Sequence, residues 1–239
     1  MTKGTTPVGA ANEAEASRWV REMFGRIAPR YDLLNHLLSF NIDRLWRRRL
    51  IRRVRPILDN PSARVLDLCC GTGDVMAAMK QARARIYGSD FAHPMLTAAN
   101  RKSQGMWRLF EADGLAMPLA DGSFDLVTIA FGFRNFANYR GGLMELRRVI
   151  RPGGRLAILE FCPPPKTLFG RLHGFYSRTV LPKVGGLISG SREAYQYLPS
   201  SVENFPVPSG LADLMRDSGF GDVRYELMTG GTVALHVGS

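Results

Sequence analysis

The chain has 239 residues, 45% of them hydrophobic, and a formal net charge of +11. This length favours one domain with a full core, and without an apolar run of about 18 residues a transmembrane helix is not expected. Residues 1–16 also lack the apolar core of a signal peptide, which favours a cytoplasmic protein. The cysteines, Cys69, Cys70 and Cys162, form no Cys-x-x-Cys pair, so we expect reduced, buried thiols and no metal site.

The N-terminal part of the chain predicts a tail followed by a helical cap. Residues 1–12 are small and polar, as is typical of a disordered tail, and a single domain is expected over 13–239. Apolar residues at helical spacing predict helices over 13–24 and 43–56, within a cap formed by 13–60.

The second of these predicted helices is strongly basic. Seven arginines and no acid lie between Arg44 and Arg55, and Pro56 and the Asn60-Pro61 pair are expected to end the helix. Such a run suits an anionic partner, namely a membrane surface, a nucleic acid or an acidic substrate. A solvated helix face is the alternative, and composition leaves it open.

Strand and helix patterns alternate from residue 64 onward. Strands are predicted over 64–70, 85–90, 105–112, 124–131, 155–161, 223–228 and 232–237. Helices are predicted over 74–81, 94–102, 139–150 and 209–218. This order predicts an α/β fold with a Rossmann-like, mostly parallel sheet of seven strands and helices on both faces. A hairpin-length turn at 229–231 makes the last strand antiparallel, and 162–208 is expected to form a lid insertion.

A tight glycine turn follows the first predicted strand. Asp67 lies near the end of this strand, and Gly71-Thr72-Gly73 leads into the next helix. A dinucleotide-binding turn would carry Gly or Ala where Met76 stands, which disfavours a cofactor with a pyrophosphate.

Acids follow the first three predicted strands, at Asp67, Asp90 and Asp113. Ligands of open parallel sheets bind beyond the carboxyl ends of the strands. Asp90 could accept hydrogen bonds from ribose hydroxyls, Asp113 from an adenine amino group, and Asp67 could hold the turn or attract an ammonium. This set predicts S-adenosylmethionine, unless the acids merely cap the following helices. The predicted cofactor residues are Asp67, Gly71, Thr72, Gly73, Asp90, Phe91, Asp113, Gly114 and Ala130.

Two more specific segments are Tyr31-Asp32-Leu33-Leu34-Asn35 and Phe131-Gly132-Phe133-Arg134-Asn135. Together with 148–154, 195–198 and 229–236 they make the sequence, over about 24–237, resemble the ubiquinone/menaquinone biosynthesis C-methyltransferases. Two departures are Asp43, where the family usually has His, and Ala130, where some members have Ser.

The resemblance implies methylation of a ring carbon of a reduced polyprenyl quinone. Demethylmenaquinol is the favoured substrate, and the methoxybenzoquinol precursor of ubiquinone is the alternative. By the same analogy, Arg134 would face the developing phenolate or position a water, and Asn135 would orient a ring oxygen. Tyr31 and Asp32 would reach the substrate from the cap, with Asp32 or His36 as the candidate base.

A polyprenyl tail implies contact with a membrane. Residues 166–192 are amphipathic and could receive the tail, while the basic run at 44–55 could draw the protein to anionic lipid. A peripheral location on the inner face of the membrane is therefore expected, and a homodimer or a quinone-biosynthesis complex is possible. An RNA methyltransferase is disfavoured, because no Asn/Asp-Pro-Pro-aromatic segment follows the fourth strand, and no nucleic-acid partner is expected. A binding module without catalysis is disfavoured by the intact turn and acids.

Overall fold

The structure is a computed structural model that describes residues 4–7, 9–31, 39, 41–165, 167, 170, 174 and 192–239. Its α-helices are α1 (Glu13–Ile27), α2 (Asp43–Leu58), α3 (Asp74–Ala78), α4 (His93–Ser103), α5 (Tyr139–Val149), α6 (Arg192–Glu203) and α7 (Pro208–Asp217). Its strands are β1 (Arg64–Leu68), β2 (Arg85–Asp90), β3 (Arg108–Glu111), β4 (Phe124–Ala130), β5 (Ile150–Phe161), β6 (Arg224–Met228) and β7 (Val233–Gly238). Short 3-10 turns occur at Ala28–Arg30, Phe133–Asn135 and Thr229–Gly231.

The strands form one seven-stranded sheet in the order β3-β2-β1-β4-β5-β7-β6. The pairs among β1 to β5 are parallel, and β7 runs antiparallel to both β5 and β6. The strand order reverses between β1 and β4, which is where open α/β sheets bind their ligands. The predicted Rossmann-like sheet with an antiparallel last strand is confirmed.

Helices cover both faces of the sheet, as the continuous apolar run of β4 requires. On one face, Leu143 and Leu146 of α5 belong to a buried cluster with Leu66 of β1 and Ile129 of β4. On the other face, a second buried cluster joins α2 to β1, β4 and β5. The cluster consists mainly of Trp46, Leu50, Val54, Leu58, Val65, Leu126, Ala157 and Leu159. Burial of these faces is the main source of stability for both layers.

Several predicted boundaries differ from the structure by two or three residues, and two others are wrong because proline and glycine were given too much weight. Pro56 lies inside α2, which continues to Leu58. At a position this close to the end of a helix, the missing N–H of proline removes only one backbone hydrogen bond. The strand β5 begins at Ile150 and includes Pro152, Gly153 and Gly154. Here Ile150 pairs with Phe124 ahead of a register shift, and an irregular strand end of this kind tolerates proline.

The start of the chain differs from the predicted disordered tail. Gly4 N–H donates to the carbonyl of Ala137 at 3.1 Å, and Thr5 N–H donates to that of Phe136 at 2.8 Å. Thr5 is 6% exposed. Backbone pairing and burial of a small side chain therefore hold residues 4–7 on the domain, a long-range contact that polar composition does not reveal.

The remaining expectations concern the cysteines, a metal site, a membrane-spanning helix and the predicted lid. The three cysteines are free, and Cys70 and Cys162 are buried while Cys69 is half-buried. Within the described residues, no cluster of His, Cys, Asp or Glu could hold a metal ion, and no helix has the length and hydropathy to cross a membrane. The central part of the predicted lid (166, 168–169, 171–173 and 175–191), together with Asp32 and His36, lies outside the described residues.

Candidate active site

A cleft of about 640 Å³ opens at the carboxyl ends of β1, β2 and β4, beside the point where the strand order reverses. Its walls come from α1, from the loops after these three strands and after β3, and from the segment 135–137. The lining residues include Ser17, Phe24, Tyr31, Cys69, Gly71, Asp90, Phe91, Asp113, Gly114, Leu115, Ala130, Phe131, Gly132, Asn135, Phe136 and Ala137.

The glycine turn shapes the floor of this cleft. Gly71 and Gly73 have positive φ values of 55° and 88°, which a side chain would strain. Gly71 lines the cleft, whereas a Cβ on Gly73 would lie 2.0 Å from the ring of Trp107. The first glycine therefore allows a ligand to approach the backbone, and the second allows the Trp107 ring to pack against the start of α3.

Asp90 ends β2 and holds the glycine turn. Its Oδ2 accepts from Gly71 N–H and its Oδ1 from Ala92 N–H, both at 2.9 Å. Burial raises the pKa of this carboxyl to about 6, although the two backbone donors act in the opposite direction. Each oxygen has a second lone pair, so the ionised group can accept from a ligand in the cleft.

Asp113 and Gly114 follow β3 and also line the cleft. Asp113 Oδ1 accepts from Leu115 N–H at 2.9 Å, which closes a local turn. A Cβ on Gly114 would lie 2.5 Å from the ring of Phe136. The absence of that Cβ lets the Phe136 ring pack against the turn, and with Phe91 and Ala130 these residues bring most of the predicted cofactor set into one cleft.

Asp67 and Thr72 are not brought to this cleft. Asp67 is 1% exposed and accepts from Thr128 Oγ1 at 2.8 Å, and its Oδ2 has no hydrogen-bond partner among the described residues. Burial raises the pKa of Asp67 to about 7. The expected contact of Asp67 with an ammonium is not supported by this position. Thr72 is buried within the turn itself and does not line the cleft.

Tyr31 and Asn135, predicted to act on the substrate, face the same cleft. The ring of Tyr31 comes within 3.6 Å of the place where a Cβ of Gly71 would lie, and its centroid is 6.0 Å from that of Phe24. The amide oxygen of Asn135 accepts from the Tyr197 hydroxyl at 3.0 Å. The cleft therefore brings together a residue of the cap segment, which precedes the glycine turn in sequence, and a residue of the loop after β4, which follows it.

Arg134 does not line the cleft, in contrast to its predicted contact with a phenolate. It is 6% exposed, and its Nη1 donates to Glu160 Oε1 at 2.9 Å and to the Phe131 carbonyl. Its backbone N–H donates to Glu160 Oε2 at 3.2 Å. The guanidinium therefore fixes the loop that carries Asn135.

Sequence reasoning gave no role to Glu160 or Tyr197. Glu160 is 1% exposed at the end of the apolar strand β5, and an acid in such a place requires a partner. That signal could have paired it with Arg134. No comparable signal links Tyr197 to Asn135, since they lie 62 residues apart.

The model of the ubiE/COQ5 methyltransferase family matches residues 11–239 of this sequence. The chain belongs to the ubiE/COQ5 methyltransferase family. Its most similar relatives include the demethylmenaquinone methyltransferase of Thermus thermophilus, at 54% identity over 90% of this chain and 99% of the relative. The demethylmenaquinone methyltransferase of Deinococcus radiodurans is 47% identical over 97% of this chain and 96% of its own.

A third relative of this family, from Syntrophotalea carbinolica, is named ubiquinone/menaquinone biosynthesis C-methyltransferase UbiE. It is 46% identical over 91% of this chain and 92% of its own. Among solved structures, a SAM-dependent methyltransferase of Thermotoga maritima, titled a possible histamine N-methyltransferase, has a TM-score of 0.66. At 18% identity over 91% of this chain and 98% of that chain, it shows the fold alone. The predicted family and the methyltransferase activity are confirmed.

Membership of this methyltransferase family implies S-adenosylmethionine, and the cleft fits such a ligand. Among the described lining residues the charged side chains are the two acids Asp90 and Asp113, with no lysine or arginine. A wall of this kind suits a cationic ligand with hydroxyl and amino donors and does not suit phosphates. Asp90, Asp113, Gly71, Phe91 and Ala130 are the residues that would hold it.

Proposed function

We propose that the protein transfers a methyl group from S-adenosylmethionine to a ring carbon of demethylmenaquinol, giving menaquinol. One observation carries this proposal. In a chain that aligns over nearly its whole length with relatives named demethylmenaquinone methyltransferase, Asp90 and Asp113 meet the glycine turn in one cleft. Tyr31 and Asn135, from the two family-specific segments, face that same cleft.

The bound S-adenosylmethionine supplies an electrophilic methyl group. Asp90 would accept hydrogen bonds from the ribose hydroxyls and Asp113 from the adenine amino group, while the absence of a side chain on Gly71 would permit close approach of the ligand. Phe91 and Ala130 would enclose it. Because the two acids are fixed by backbone donors from Gly71, Ala92 and Leu115, they are oriented before a ligand arrives.

The chain's own residues then act on the quinol. A ring carbon next to a hydroxyl becomes nucleophilic as that hydroxyl loses its proton, and the phenolate oxygen needs a hydrogen-bond donor. Asn135 is that donor, and Tyr31 orients the ring above the glycine turn. Alignment of the ring against the bound methyl group supplies much of the acceleration. Arg134 serves this step indirectly, since its bonds to Glu160 and Phe131 hold the loop.

When the ring carbon takes the methyl group, the methyl–sulfur bond would break to leave S-adenosylhomocysteine, and the carbon must then lose its hydrogen as a proton for the ring to become aromatic again. Asp32 and His36 are the candidates for the base that takes this proton. Both come from the cap segment, next in sequence to Tyr31, and their role rests on the family resemblance alone.

A methyl-transfer assay with labelled S-adenosylmethionine tests the proposal. The purified protein should label chemically reduced demethylmenaquinone, and the quinone left oxidised should stay unlabelled, because only the quinol yields a phenolate. Failure to label the reduced form under conditions in which the cofactor binds would overturn the assignment.

The ubiquinone precursor 2-polyprenyl-6-methoxy-1,4-benzoquinol is a second candidate substrate. It is favoured by relatives such as that of Syntrophotalea carbinolica, whose name covers both pathways. The same assay run with both quinols separates the two, and faster labelling of demethylmenaquinol is the expected result.

A substrate with a polyprenyl tail also requires access to lipid. We propose a peripheral contact with anionic membrane through the exposed face of α2. Arg44, Arg48 and Arg52 are exposed at spacings of one helical turn, and none forms an ion pair with a described residue. Leu45, 58% exposed, lies between the first two of them in sequence. A face that combines arginines with an apolar side chain is typical of helices that rest on a membrane surface.

A further inference from the structure

The start of the chain reaches the wall of the cleft. Gly4 and Thr5, here called the N-terminal strap, donate their backbone N–H groups to the carbonyls of Ala137 and Phe136. Both acceptors belong to residues that line the cleft. A Cβ on Gly4 would lie 2.1 Å from the carbonyl carbon of Ala137, so only glycine permits this approach.

Polar side chains continue from the strap into the cleft. Thr5 Oγ1 lies 2.7 Å from Tyr197 Oη, and Tyr197 Oη donates to Asn135 Oδ1 at 3.0 Å. All three residues are buried, with exposed fractions of 6%, 8% and 8%. A phenol carries one proton, and Tyr197 gives it to Asn135, so Thr5 is the donor to Tyr197. The hydrogen bonds therefore run in one direction, from Thr5 through Tyr197 to Asn135.

The orientation of the Asn135 amide matches this direction. Because Tyr197 holds the amide oxygen, the Nδ2 group, which makes no hydrogen bond to a described residue, is left for a ligand. A rotated amide would place its carbonyl oxygen where the substrate oxygen carries negative charge. It would also require Tyr197 and Thr5 to reverse their donor and acceptor roles. The strap thus favours the orientation that suits a phenolate.

We propose that Thr5 and Tyr197 are positioning residues that hold the donor side of the Asn135 amide toward the substrate. The N-terminal strap is in this way a working part of the active site. The inference rests on the proposed function, in which Asn135 donates to a ring oxygen of the quinol.

Three substitutions isolate the hydrogen-bond chain from packing. Tyr197→Phe keeps the ring that packs against Trp19 at 5.0 Å between centroids and removes only the hydroxyl. Thr5→Val keeps the shape of the side chain without its donor, and Thr5→Ser restores the donor. Thr6→Val is the matched control, because Thr6 is the exposed neighbour of Thr5.

The first readout is the Asn135 side-chain amide signal in NMR spectra of the full chain without cofactor or quinol. Tyr197→Phe and Thr5→Val should shift or broaden this signal, while Thr5→Ser and Thr6→Val should leave it near its wild-type position. An unchanged Asn135 signal in Tyr197→Phe would overturn the proposal. This readout needs no turnover, so it stands even if the assay of the proposed function fails.

The second readout is steady-state methyl transfer. Tyr197→Phe and Thr5→Val should lower kcat by up to about tenfold, the worth of one hydrogen bond, and leave the KM for cofactor unchanged. Thr5→Ser should regain most of the kcat, and Thr5→Val should cause no further loss in an Asn135→Ala background. Equal losses in Thr5→Val and Thr6→Val, or additive losses with Asn135→Ala, would contradict the proposal.

Discussion

Asp67 and Asp90 are buried carboxyls at the ends of neighbouring strands, and their surroundings give them different roles. Asp90 opens onto the cleft and is held by two backbone donors. Asp67 lies behind the turn with one donor, Thr128. The position of an acid after a strand was predictable from the sequence, but the direction of its side chain depends on the turn that follows.

Asp90→Asn should weaken binding of S-adenosylmethionine by about 1.5–3 kcal/mol, the usual worth of hydrogen bonds to a charged group. Because burial raises the pKa of Asp90 to about 6, wild-type affinity should rise with pH until the carboxyl is ionised and level off above that value. The asparagine variant should show a flat profile from pH 5 to 8. Calorimetric titration measures both effects.

Glu111→Gln, which removes an exposed acid beside β2, is the control and should keep wild-type affinity at pH 8. Equal affinity of wild type and Asp90→Asn at pH 8 would remove Asp90 from the site.

Asp67 should influence folding stability more than cofactor affinity. Its folded-state pKa of about 7 lies above its ordinary value because of burial. The folded state therefore binds a proton more tightly than the unfolded chain, and stability falls as pH rises from about 4 to about 7. Asp67→Asn removes this fall and should raise the free energy of unfolding above pH 7.

Urea denaturation at pH 5 and pH 8 checks this expectation, with Asp222→Asn as the control at an exposed acid. The Asp67 variant should show a smaller difference between the two pH values than wild type or the control. A difference as large as that of wild type would contradict the burial argument, and a large loss of cofactor affinity would return Asp67 to the site.

The pair of Arg134 and Glu160 should be a strong determinant of stability. Arg134→Ala leaves a buried carboxylate without its cation, which typically costs about 3–5 kcal/mol. The double variant Arg134→Met, Glu160→Gln removes both charges and should recover much of the loss. Arg224→Ala breaks an exposed pair with Asp222 and should change stability by less than about 1 kcal/mol.

Thermal and urea unfolding of these variants separates the two roles considered for Arg134. If Arg134→Ala keeps wild-type stability and loses turnover alone, direct contact with the substrate is the better explanation. The sequence could not distinguish these roles, because a loop arginine after β4 suits either one.

At the scale of elements, regular patterns were predictable and irregular ones were not. Apolar runs gave the strands of the sheet, and glycine with an acid gave the turn after β1. The extension of β5 through Pro152 depends on pairing of Ile150 with Phe124, and the strap depends on Ala137 and Phe136, far away in sequence. Contacts of this kind arise from tertiary structure, which local propensity does not encode.

The helix α2 shows how one basic sequence serves two purposes. Arg47 is 8% exposed and pairs with Asp43, with a second contact to Asp74 at 3.2 Å, which ties α2 to the start of α3. Arg49 pairs with Glu226 of β6 at 2.6 Å. Asp43 thus has a structural partner in place of any role for a histidine at this position. Some arginines anchor the helix, and the exposed ones are left for solvent or a partner.

For the whole molecule, the net charge of +11 predicts attraction to any anionic surface, so only a local test can assign it to α2. Trp46 of α2 packs at 5.8 Å between centroids against Phe131, which lines the cleft. The start of this helix therefore lies beside the site that a membrane-dissolved substrate has to reach. A contact through α2 would deliver the quinol close to Asn135, whereas diffuse attraction would not.

The triple variant Arg44→Gln, Arg48→Gln, Arg52→Gln should weaken binding to vesicles of phosphatidylglycerol and phosphatidylcholine about 100-fold, at about 1 kcal/mol for each arginine. Arg83→Gln, Arg85→Gln, Arg101→Gln removes the same charge from other exposed positions and should cause a much smaller loss. Co-sedimentation at low salt measures both, and binding should fall at about 1 M salt, where the Debye length is near 3 Å. Equal losses in the two triple variants would show that net charge alone drives the attraction. Wild-type binding by the α2 variant would exclude this helix as the membrane contact.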